Sequence, residues 1–444
     1  MWNVSKGEYH HIDLFAGAGG LSEGFIRAGF SPAAMIEMDR YACLTLKTRM
    51  AYYYLKHTGR IDIYREYLAG KITREQMYSH VARNFLSPII EEEITADKLD
   101  MLFRKIECIM KENGIQKIDI VIGGAPCQPF SIVARPYIKR AENDKRSNLY
   151  ELYAEFLKKF KPAVFIFENV PGLLSADGGK IWANIRECFS DAGYHMEFKI
   201  LNAHDFGVLQ NRRRIIAIGW GNGMNMEYPE FERDVCVKKY TVADVLSDLP
   251  PLNGGDVEAS PIQTMGYIRE PSEYLQKYGI RKNSGERDID IDVDIDVDVN
   301  VDVDVDILTL HRTHAVCERD KMIYRLCIEA WMTAKKRLEY DDLPESLKTH
   351  RNRHAFKDRF KVVAPDLPFS QTITAHLAKD GHYYIHPDIN QLRPISMREA
   401  ARLQSFPDDF FFEGSMTSVF RQIGNAVPPL MAEKIARKIK KMLI

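Results

Sequence analysis

The N-terminal half of the chain alternates short apolar runs with stretches of helical periodicity. The segments HHIDLFAG, SPAAMIEMD, KIDIVIGG and AVFIFENV combine apolar, partly β-branched residues with turn or polar residues, which predicts buried strands. The segments LSEGFIRAG and NLYELYAEFLKKF carry apolar residues at helical spacing. This β-α-β order predicts an α/β fold with a doubly wound, mostly parallel Rossmann-like sheet.

The same pattern divides the chain into three parts. Residues 1–221 carry the strand and helix alternation and form the predicted first domain, with a helical insertion at 51–110. Residues 222–392, rich in Pro, Gly and polar positions, predict a second, smaller domain. Residues 393–444 return to helical periodicity, and we expect them to rejoin the first domain.

Composition and charge add limits to this picture. Apolar residues make up 45% of the chain and charged residues 28%, as in ordinary globular proteins. No apolar run approaches the length of a membrane helix and no signal peptide begins the chain, so we expect a cytoplasmic protein with no membrane partner. The seven cysteines are scattered without a CxxC pair, which predicts free thiols and no metal site.

An acidic tract of alternating Asp and Val or Ile at 288–307 offsets a net positive charge in the rest of the chain. The tract carries nine aspartates, so the formal net charge of −1 becomes +8 when it is set aside. Aspartate is poorly suited to strands, and we expect a solvated, mobile loop. The positive remainder fits a polyanionic partner, although modest positive charge alone indicates little.

The first chemical motif is DLFAGAGGLSEG, which follows the first predicted strand. Glycines at 17, 19 and 20 allow a sharp turn and a close approach of a ligand to a helix N-terminus. Glu37 ends the next predicted strand, where a carboxylate can accept hydrogen bonds from ribose hydroxyls. A dinucleotide would require glycine where Ser22 stands, so the motif favours S-adenosylmethionine; a purely structural tight turn is the alternative.

A cysteine and a carboxylate follow two further predicted strands. Cys127 lies in GGAPCQPFS, where Pro126 and Pro129 fix the backbone on either side of the thiol. Glu168 ends the strand AVFIFEN, so both groups should meet at one edge of the sheet. A nucleophile beside an acid indicates covalent catalysis with proton transfer. The arginines of QNRRR, 212–214, have two interpretations: a solvated surface or phosphate contact, or side chains that orient the acid and hold a pyrimidine carbonyl oxygen.

In these motifs the sequence resembles the cytosine-C5 DNA methyltransferase family, of the bacterial restriction-modification type. The blocks DLFAGAGG, GGAPCQPFS, ENV, QNRRR, RPISMREAARLQSFPDDF and QIGNAVPP stand in the order of that family. The resemblance implies a catalytic, S-adenosylmethionine-binding domain over 1–221 and a target-recognition domain over 222–392. It also implies double-stranded DNA as the partner, monomeric action on DNA, and a possible restriction endonuclease acting on the same site.

The resemblance also implies roles for individual residues. Cys127 is the expected nucleophile at cytosine C6 and Glu168 the acid at N3, assisted by Arg212 and Arg214. Methyl transfer to C5 of a flipped-out cytosine follows from these roles. The residues expected to bind the cofactor are Phe15, Ala16, Gly17, Gly19, Gly20, Leu21, Glu37, Met38, Glu93, Pro126, Leu149, Asn425 and Ala426.

Three departures and two alternative functions accompany the resemblance. Leu209 replaces the usual proline of the arginine block, Glu93 stands for the usual aspartate near adenine after an insertion, and the acidic tract has no counterpart. We expect the segment 128–148 to close over the flipped nucleotide and the histidine-containing segments 312–314, 350–354 and 370–387 to contact DNA. The alternatives are tRNA cytosine methylation, whose Cys-Phe-Thr marker is absent here, and a catalytically silent DNA-binding protein.

Overall fold

A seven-stranded mixed sheet forms the centre of the part of the chain that the structure describes. The computed structural model describes residues 9–126, 149–252, 266–282, 307–349, 353 and 357–443. The strands are β1 (Tyr9–Leu14), β2 (Phe30–Glu37), β3 (Ile89–Glu91), β4 (Ile120–Gly123), β5 (Val164–Asn169), β6 (Tyr194–Asn202) and β7 (Arg213–Gly221). Their spatial order is β3-β2-β1-β4-β5-β7-β6. Neighbours from β3 to β5 pair in parallel, and β7 runs antiparallel to both β5 and β6.

Helices cover both faces of this sheet, which confirms the predicted α/β class. The first eight are α1 (Gly20–Arg27), α2 (Arg40–His57), α3 (Ile61–Leu68), α4 (Arg74–Ser79), α5 (Arg83–Leu86), α6 (Leu99–Asn113), α7 (Leu149–Phe160) and α8 (Lys180–Asp191). The others are α9 (Ala243–Leu246), α10 (Glu273–Lys277), α11 (Glu318–Ala334), α12 (Met397–Leu403), α13 (Met416–Asn425) and α14 (Pro429–Met442). Successive strand side chains point to opposite faces, so alternate residues of β4 and β5 enter separate cores.

The region 51–110 differs from the prediction of a helical insertion. It contains the end of α2, the helices α3 to α5 and most of α6, but also the edge strand β3, which pairs in parallel with β2. Part of this region therefore belongs to the sheet itself. The division of the chain at 221 and 392 stays a prediction.

The order of the strands creates a crevice between β1 and β4. The chain passes from β1 outward to β2 and β3, then returns to the other side of β1 to form β4. The ends of the two central strands lie side by side, with Leu14 opposite Gly123. Ligands of open α/β sheets bind at the carboxyl ends of the strands where the strand order reverses. The motifs at 13–24 and 123–131 both begin at this crevice.

The C-terminal helix α14 packs closely against α1. A Cβ atom at Gly24 would lie 2.4 Å from both the Ala432 side chain and the Glu433 backbone nitrogen, so only glycine allows this approach. Arg27 and Glu433 form an ion pair of 3.1 Å across the same contact. The two ends of the chain therefore share one core.

None of the described helices is both long enough and apolar enough to span a bilayer.

A buried ion-pair network joins α12 to the region that precedes it. The guanidinium of Arg402 is fully buried, and its Nη2 atom lies 3.0 Å from Asp248 and 2.6 Å from Asp408. Both carboxylates are also almost completely buried. Charges removed from water in this way require nearly complete pairing.

Replacement of Arg402 should therefore be strongly destabilising. We expect Arg402→Met to lower the free energy of unfolding by about 3–5 kcal/mol, because Asp248 and Asp408 each lose one buried ion-pair partner, although Arg281 still pairs with Asp248. Lys158→Met is the control, since Lys158 pairs with Glu155 on the exposed surface of α7 and should contribute less than about 1 kcal/mol. Urea unfolding of both variants measures the two values, and equal losses would contradict the assignment.

Candidate active site

The turn between β1 and α1 holds its backbone in an unusual conformation. Phe15, Gly17 and Gly19 have φ angles of 58°, 55° and 80°. Glycine adopts this left-handed region freely, but a phenylalanine there is strained by about 1–3 kcal/mol. The turn is fixed by a hydrogen bond of 3.0 Å from the Ala16 N–H to the Ile36 carbonyl of β2. Strain of this kind is typical of ligand-binding turns.

The glycines of this turn serve different purposes. A Cβ atom at Gly17 would meet no protein atom within 4 Å, so the backbone there borders open space. At Gly19 it would lie 2.5 Å from the Leu46 side chain, and at Gly20 it would lie 2.2 Å from the Val427 carbonyl oxygen. Ala16 and Leu21 are buried beneath the turn. Gly17 is thus placed to border a ligand, while Gly19 and Gly20 allow close packing of the protein itself.

The carboxylate of Glu37 lies beside this turn. It accepts hydrogen bonds from the backbone N–H groups of Gly17 at 2.8 Å, Met38 at 2.9 Å and Asp39 at 2.8 Å. Burial raises the pKa of Glu37, and the three hydrogen bonds oppose this shift. A carboxylate has about four acceptor positions, so one remains for a further donor. Met38 is 65% exposed next to it.

The remaining predicted cofactor residues lie around the same edge of the sheet. Glu93 follows β3 by two residues and is exposed, whereas the neighbouring Glu92 is paired with Lys98 at 2.6 Å. Leu149 begins α7 and is partly buried against the core, and Pro126 is exposed. Asn425 is exposed at the end of α13, and Ala426 follows it.

Glu168 and Arg214 form an ion pair at the ends of β5 and β7. The Nε atom of Arg214 lies 2.8 Å from Oε1 of Glu168, and both side chains are 13% exposed. Burial lowers the pKa of Arg214, and the negative charge of Glu168 opposes this shift. The other oxygen, Oε2, lies 2.6 Å from the position that a Cβ atom would take at Gly124. Glycine at 124 therefore makes room for the carboxylate.

The residues before Cys127 are held against the same strand end. Gly123 approaches the Leu14 carbonyl so closely that a Cβ atom would lie 2.3 Å from it. The side-chain amide of Asn169 donates to the Ala125 carbonyl at 3.1 Å, which links the chain just before the cysteine to the residue after Glu168. Cys127 itself and the segment 128–148 lie outside the described residues, as does most of the acidic tract.

Arg212 lies apart from the Glu168 carboxylate. Its guanidinium is fully buried and donates to the carbonyls of Ile373 at 2.7 Å, Gly424 at 3.1 Å and Ala426 at 2.7 Å. Arg212 and Glu168 do not form an ion pair in the described structure, although they are close enough to interact electrostatically. Of the two arginines that the sequence singles out, Arg214 is the one that contacts the acid.

Sequence inspection missed a set of buried amides around Arg212. The side chain of Gln210 is fully buried and contacts the Leu403 carbonyl and the Gln404 side chain. Gln404, also buried, donates to the Ile423 carbonyl at 2.7 Å. The only sequence signal was the presence of polar residues within otherwise apolar stretches. No group of three or more potential metal ligands is found within the described ranges.

A second buried polar group lies under the glycine turn. The Ser22 hydroxyl donates to Asp13 at 2.6 Å, and Nε2 of His11 lies 3.2 Å from that hydroxyl. Burial lowers the pKa of His11 to about 3, so the ring is neutral near pH 7. Burial also raises the pKa of Asp13 to about 7, although the hydrogen bond from Ser22 opposes the shift. Ser22, the residue whose presence disfavours a dinucleotide site, thus forms a hydrogen bond that holds the Asp13 side chain of β1.

Titration of Asp13 should appear in the stability of the protein. In the unfolded chain the carboxyl ionises near pH 4, whereas in the folded protein it remains protonated until about pH 7. Stability contributed by Asp13 is therefore present below about pH 4 and is lost as the pH rises to 7. Relative to Asp13→Asn, we expect wild-type unfolding free energy to fall by about 1.4 kcal/mol per pH unit between pH 5 and 7.

Ser22→Ala tests how the hydrogen bond from Ser22 affects the pKa of Asp13. Without the hydroxyl, the ionised form of Asp13 loses a hydrogen bond, so the decline should extend to higher pH. Denaturant unfolding at several pH values measures both effects. Parallel stability curves for the wild type and Asp13→Asn would show that the carboxyl is not titrating in this range.

Comparison with known proteins gives the site its context. A family model described as "C-5 cytosine-specific DNA methylase" matches residues 9–69 and 92–441. The Type II methyltransferase M.Bpa9945I of Bacillus paralicheniformis is 37% identical, over 97% of this chain and 98% of its own length. The Type II methyltransferase M1.HphI of Haemophilus parahaemolyticus is 30% identical, over 97% of this chain and 87% of its own length.

Solved structures show a similar fold. A prophage-encoded protein of E. coli, assigned as a DNA modification methyltransferase, has a TM-score of 0.63 at 23% identity, covering 98% of this chain and 99% of its own. The Dnmt2 methyltransferase of S. pombe has a TM-score of 0.51 at 13% identity, with the same coverage. Together with the family match over nearly the whole chain, this confirms the resemblance stated from the motifs. The chain belongs to the C-5 cytosine-specific DNA methylases and is an enzyme that methylates cytosine in DNA at C5.

Proposed function

We propose that the enzyme transfers a methyl group from S-adenosylmethionine to C5 of a flipped-out cytosine through a covalent bond between Cys127 and C6. The observation that carries the proposal is the Glu168–Arg214 pair at the edge of the sheet where β4 ends. In the sequence, Pro126 and Cys127 follow Gly123, the last residue of β4, by three and four positions. The carboxylate of this pair fills the space above Gly124. Because Cys127 follows Gly124 by three residues in the sequence, we propose that its thiol acts at the same edge of the sheet as the acid.

In this proposal the acid and the thiol act on opposite parts of the ring. The Cys127 sulfur adds to C6 while Glu168 gives a proton to N3, which makes C5 an electron-rich enamine carbon. C5 then takes the methyl group of S-adenosylmethionine, whose carbon–sulfur bond breaks so that S-adenosylhomocysteine leaves. A base removes the proton from C5. Elimination then releases the Cys127 thiolate, returns the N3 proton to Glu168 and restores the C5–C6 double bond. Arg214 holds the Glu168 carboxyl in the plane from which it reaches N3.

The edge of the sheet near Gly17 fits an adenosyl group. The open space at Gly17 allows a ligand to lie against the backbone, and Glu37 has an acceptor position left for a ribose hydroxyl. The exposed Met38 side chain offers an apolar surface for the adenine ring. S-adenosylmethionine bound there would supply the electrophilic methyl group. Glu93, Leu149, Pro126 and Asn425 are the further residues that we propose around this ligand.

The substrate is a cytosine within a specific sequence of double-stranded DNA. Because C6 is stacked inside the duplex, the base must rotate out, at a cost of a few kcal/mol. We propose that residues 222–392 read the sequence through the major groove. Monomeric action in the cytoplasm, beside a restriction endonuclease with the same target, completes the proposal. The endonuclease part of this proposal is supported by the names of the similar proteins, which are Type II methyltransferases.

The covalent step can be tested directly. On duplex DNA containing 5-fluorocytosine at the target, C5 has no removable proton, so the adduct should persist after denaturation. We expect a stable complex with the wild type and none with Cys127→Ala, while Glu168→Gln should form it far more slowly. Cys108→Ala, which removes an exposed thiol on α6, is the matched control and should trap normally. A complex that survives the loss of Cys127 would rule out this mechanism.

The cofactor site can be tested by binding. Hydrogen bonds to a charged carboxylate contribute about 1.5–3 kcal/mol, so we expect Glu37→Gln to weaken S-adenosylmethionine binding by about tenfold or more. Glu91→Gln is the control, because Glu91 lies opposite Glu37 in the sheet register but is exposed. Isothermal titration calorimetry gives both constants. Equal weakening by the two changes would indicate a general charge effect, not a ribose contact.

A further inference from the structure

Arg212 occupies an environment that is unusual for a charged side chain. The guanidinium is fully buried, yet in the described ranges it forms no ion pair with a carboxylate. It donates hydrogen bonds to three backbone carbonyls, those of Ile373, Gly424 and Ala426. Burying a guanidinium that is paired only with backbone carbonyls costs free energy of folding. We therefore expect Arg212 to have a functional role that offsets this cost.

Two of these carbonyls belong to the end of α13. Gly424 lies in the last turn of that helix and Ala426 directly follows it. The carbonyls at a helix C-terminus lack intrahelical partners and carry partial negative charge, which favours a cation. A single nitrogen of Arg212, Nη2, therefore fixes the residues on both sides of Asn425. The position of Asn425 at the proposed cofactor pocket depends on this contact.

The third carbonyl belongs to the segment 370–374. Both backbone polar groups of Ile373 are hydrogen-bonded to the arginine block. Its N–H donates to the Gln210 side chain at 3.0 Å, and its carbonyl accepts from Arg212 at 2.7 Å. The backbone of this segment also pairs with the arginine block, through Asn211 N–H to Ser370 carbonyl and Ser370 N–H to Leu209 carbonyl. Hydrogen bonds thus join the segment 370–374 and the block 209–212 into one unit.

The outer surface of this unit has the chemistry of a DNA contact. Arg213, Asn211 and Thr374 are exposed, and Arg213 directly precedes Arg214 in β7. A cation with neighbouring amide and hydroxyl donors fits the phosphate groups of a DNA strand. On its inner side, the same segment touches α13 directly: a Cβ atom at Gly424 would lie 2.2 Å from the backbone of Thr374 and Ala375.

We propose that Arg212 is a positioning residue that couples DNA contact at residues 370–374 to cofactor binding at the end of α13. The inference rests on the proposed function, because it assumes that Asn425 borders the methyl donor. Arg214 touches the acid, whereas Arg212 acts through the backbone on either side of Asn425. A displacement of residues 370–374 by DNA is transmitted to that turn without any group of Arg212 touching the cytosine ring. By linkage, the cofactor affects DNA affinity by the same factor.

Calorimetry with S-adenosylhomocysteine, in the presence and absence of a cognate duplex, measures this coupling without turnover. The cognate sequence comes first from bisulfite sequencing of DNA from cells that express the enzyme. For the wild type we expect the duplex to tighten binding by a factor in the range of about 5 to 150. For Arg212→Lys, which keeps the charge but not the planar fork, the factor should fall below about twofold.

Arg214→Lys is the matched control. It removes the guanidinium beside Glu168, so kcat should fall while the coupling factor stays within about twofold of the wild type. Arg212→Lys should instead raise the KM values for DNA and for the methyl donor more than it lowers kcat. Unchanged coupling in Arg212→Lys, with a loss confined to kcat, would overturn the inference and return Arg212 to the chemical step.

A second measurement covers the case in which Arg212→Lys does not fold. In the wild type, the cognate duplex alone should slow amide hydrogen exchange in a peptide covering 416–430. Exchange there that does not respond to DNA would overturn the coupling. A different result would contradict the proposed function itself: S-adenosylhomocysteine would not bind the wild type at all, with or without DNA.

Discussion

The contact between α1 and the residues that follow α13 is the constraint on which the site depends. Gly20 and Gly24 allow the backbone at 427–433 to approach α1 so closely that no other residue fits. This contact brings the turn at 15–20 and the end of α13 into one place, although some 400 residues separate them in sequence. Without it, the open backbone at Gly17 and the exposed side chain of Asn425 would belong to different surfaces.

The sequence predicted the parts of the fold that have strong local patterns. The strands β1, β2, β4 and β5 follow apolar runs with clear turn residues, and each was predicted close to its observed place. The three-residue strand β3 was not predicted, because so short a run carries no periodicity and its partner β2 lies far away in sequence. Within 222–392 no helix was predicted, although the 17-residue α11 supplies four buried residues to a separate hydrophobic core of that region.

The candidate site was predicted in part for a related reason. The placement of Glu168 at a strand end follows from the strand pattern, and of the two arginines that the resemblance implies beside it, Arg214 contacts it. The surroundings of Arg212 could not be predicted, because its partners come from residues more than 160 positions away. Sequence shows that an arginine is present, but only tertiary packing decides whether it meets a carboxylate or a helix end. The roles of the site residues stay proposals until they are tested.

The reversed strand β7 has a consequence for how this sheet can supply chemistry. In a purely parallel sheet, every strand presents its last residues at the ligand-binding edge, and its first residues lie at the far side. Because β7 runs the other way, its first residues reach that edge instead, so Arg214 sits diagonally across from Glu168, the penultimate residue of β5. One antiparallel strand thus lets the acid come from the end of β5 and the arginine from the start of β7. Both members of the ion pair are therefore held by strand backbone.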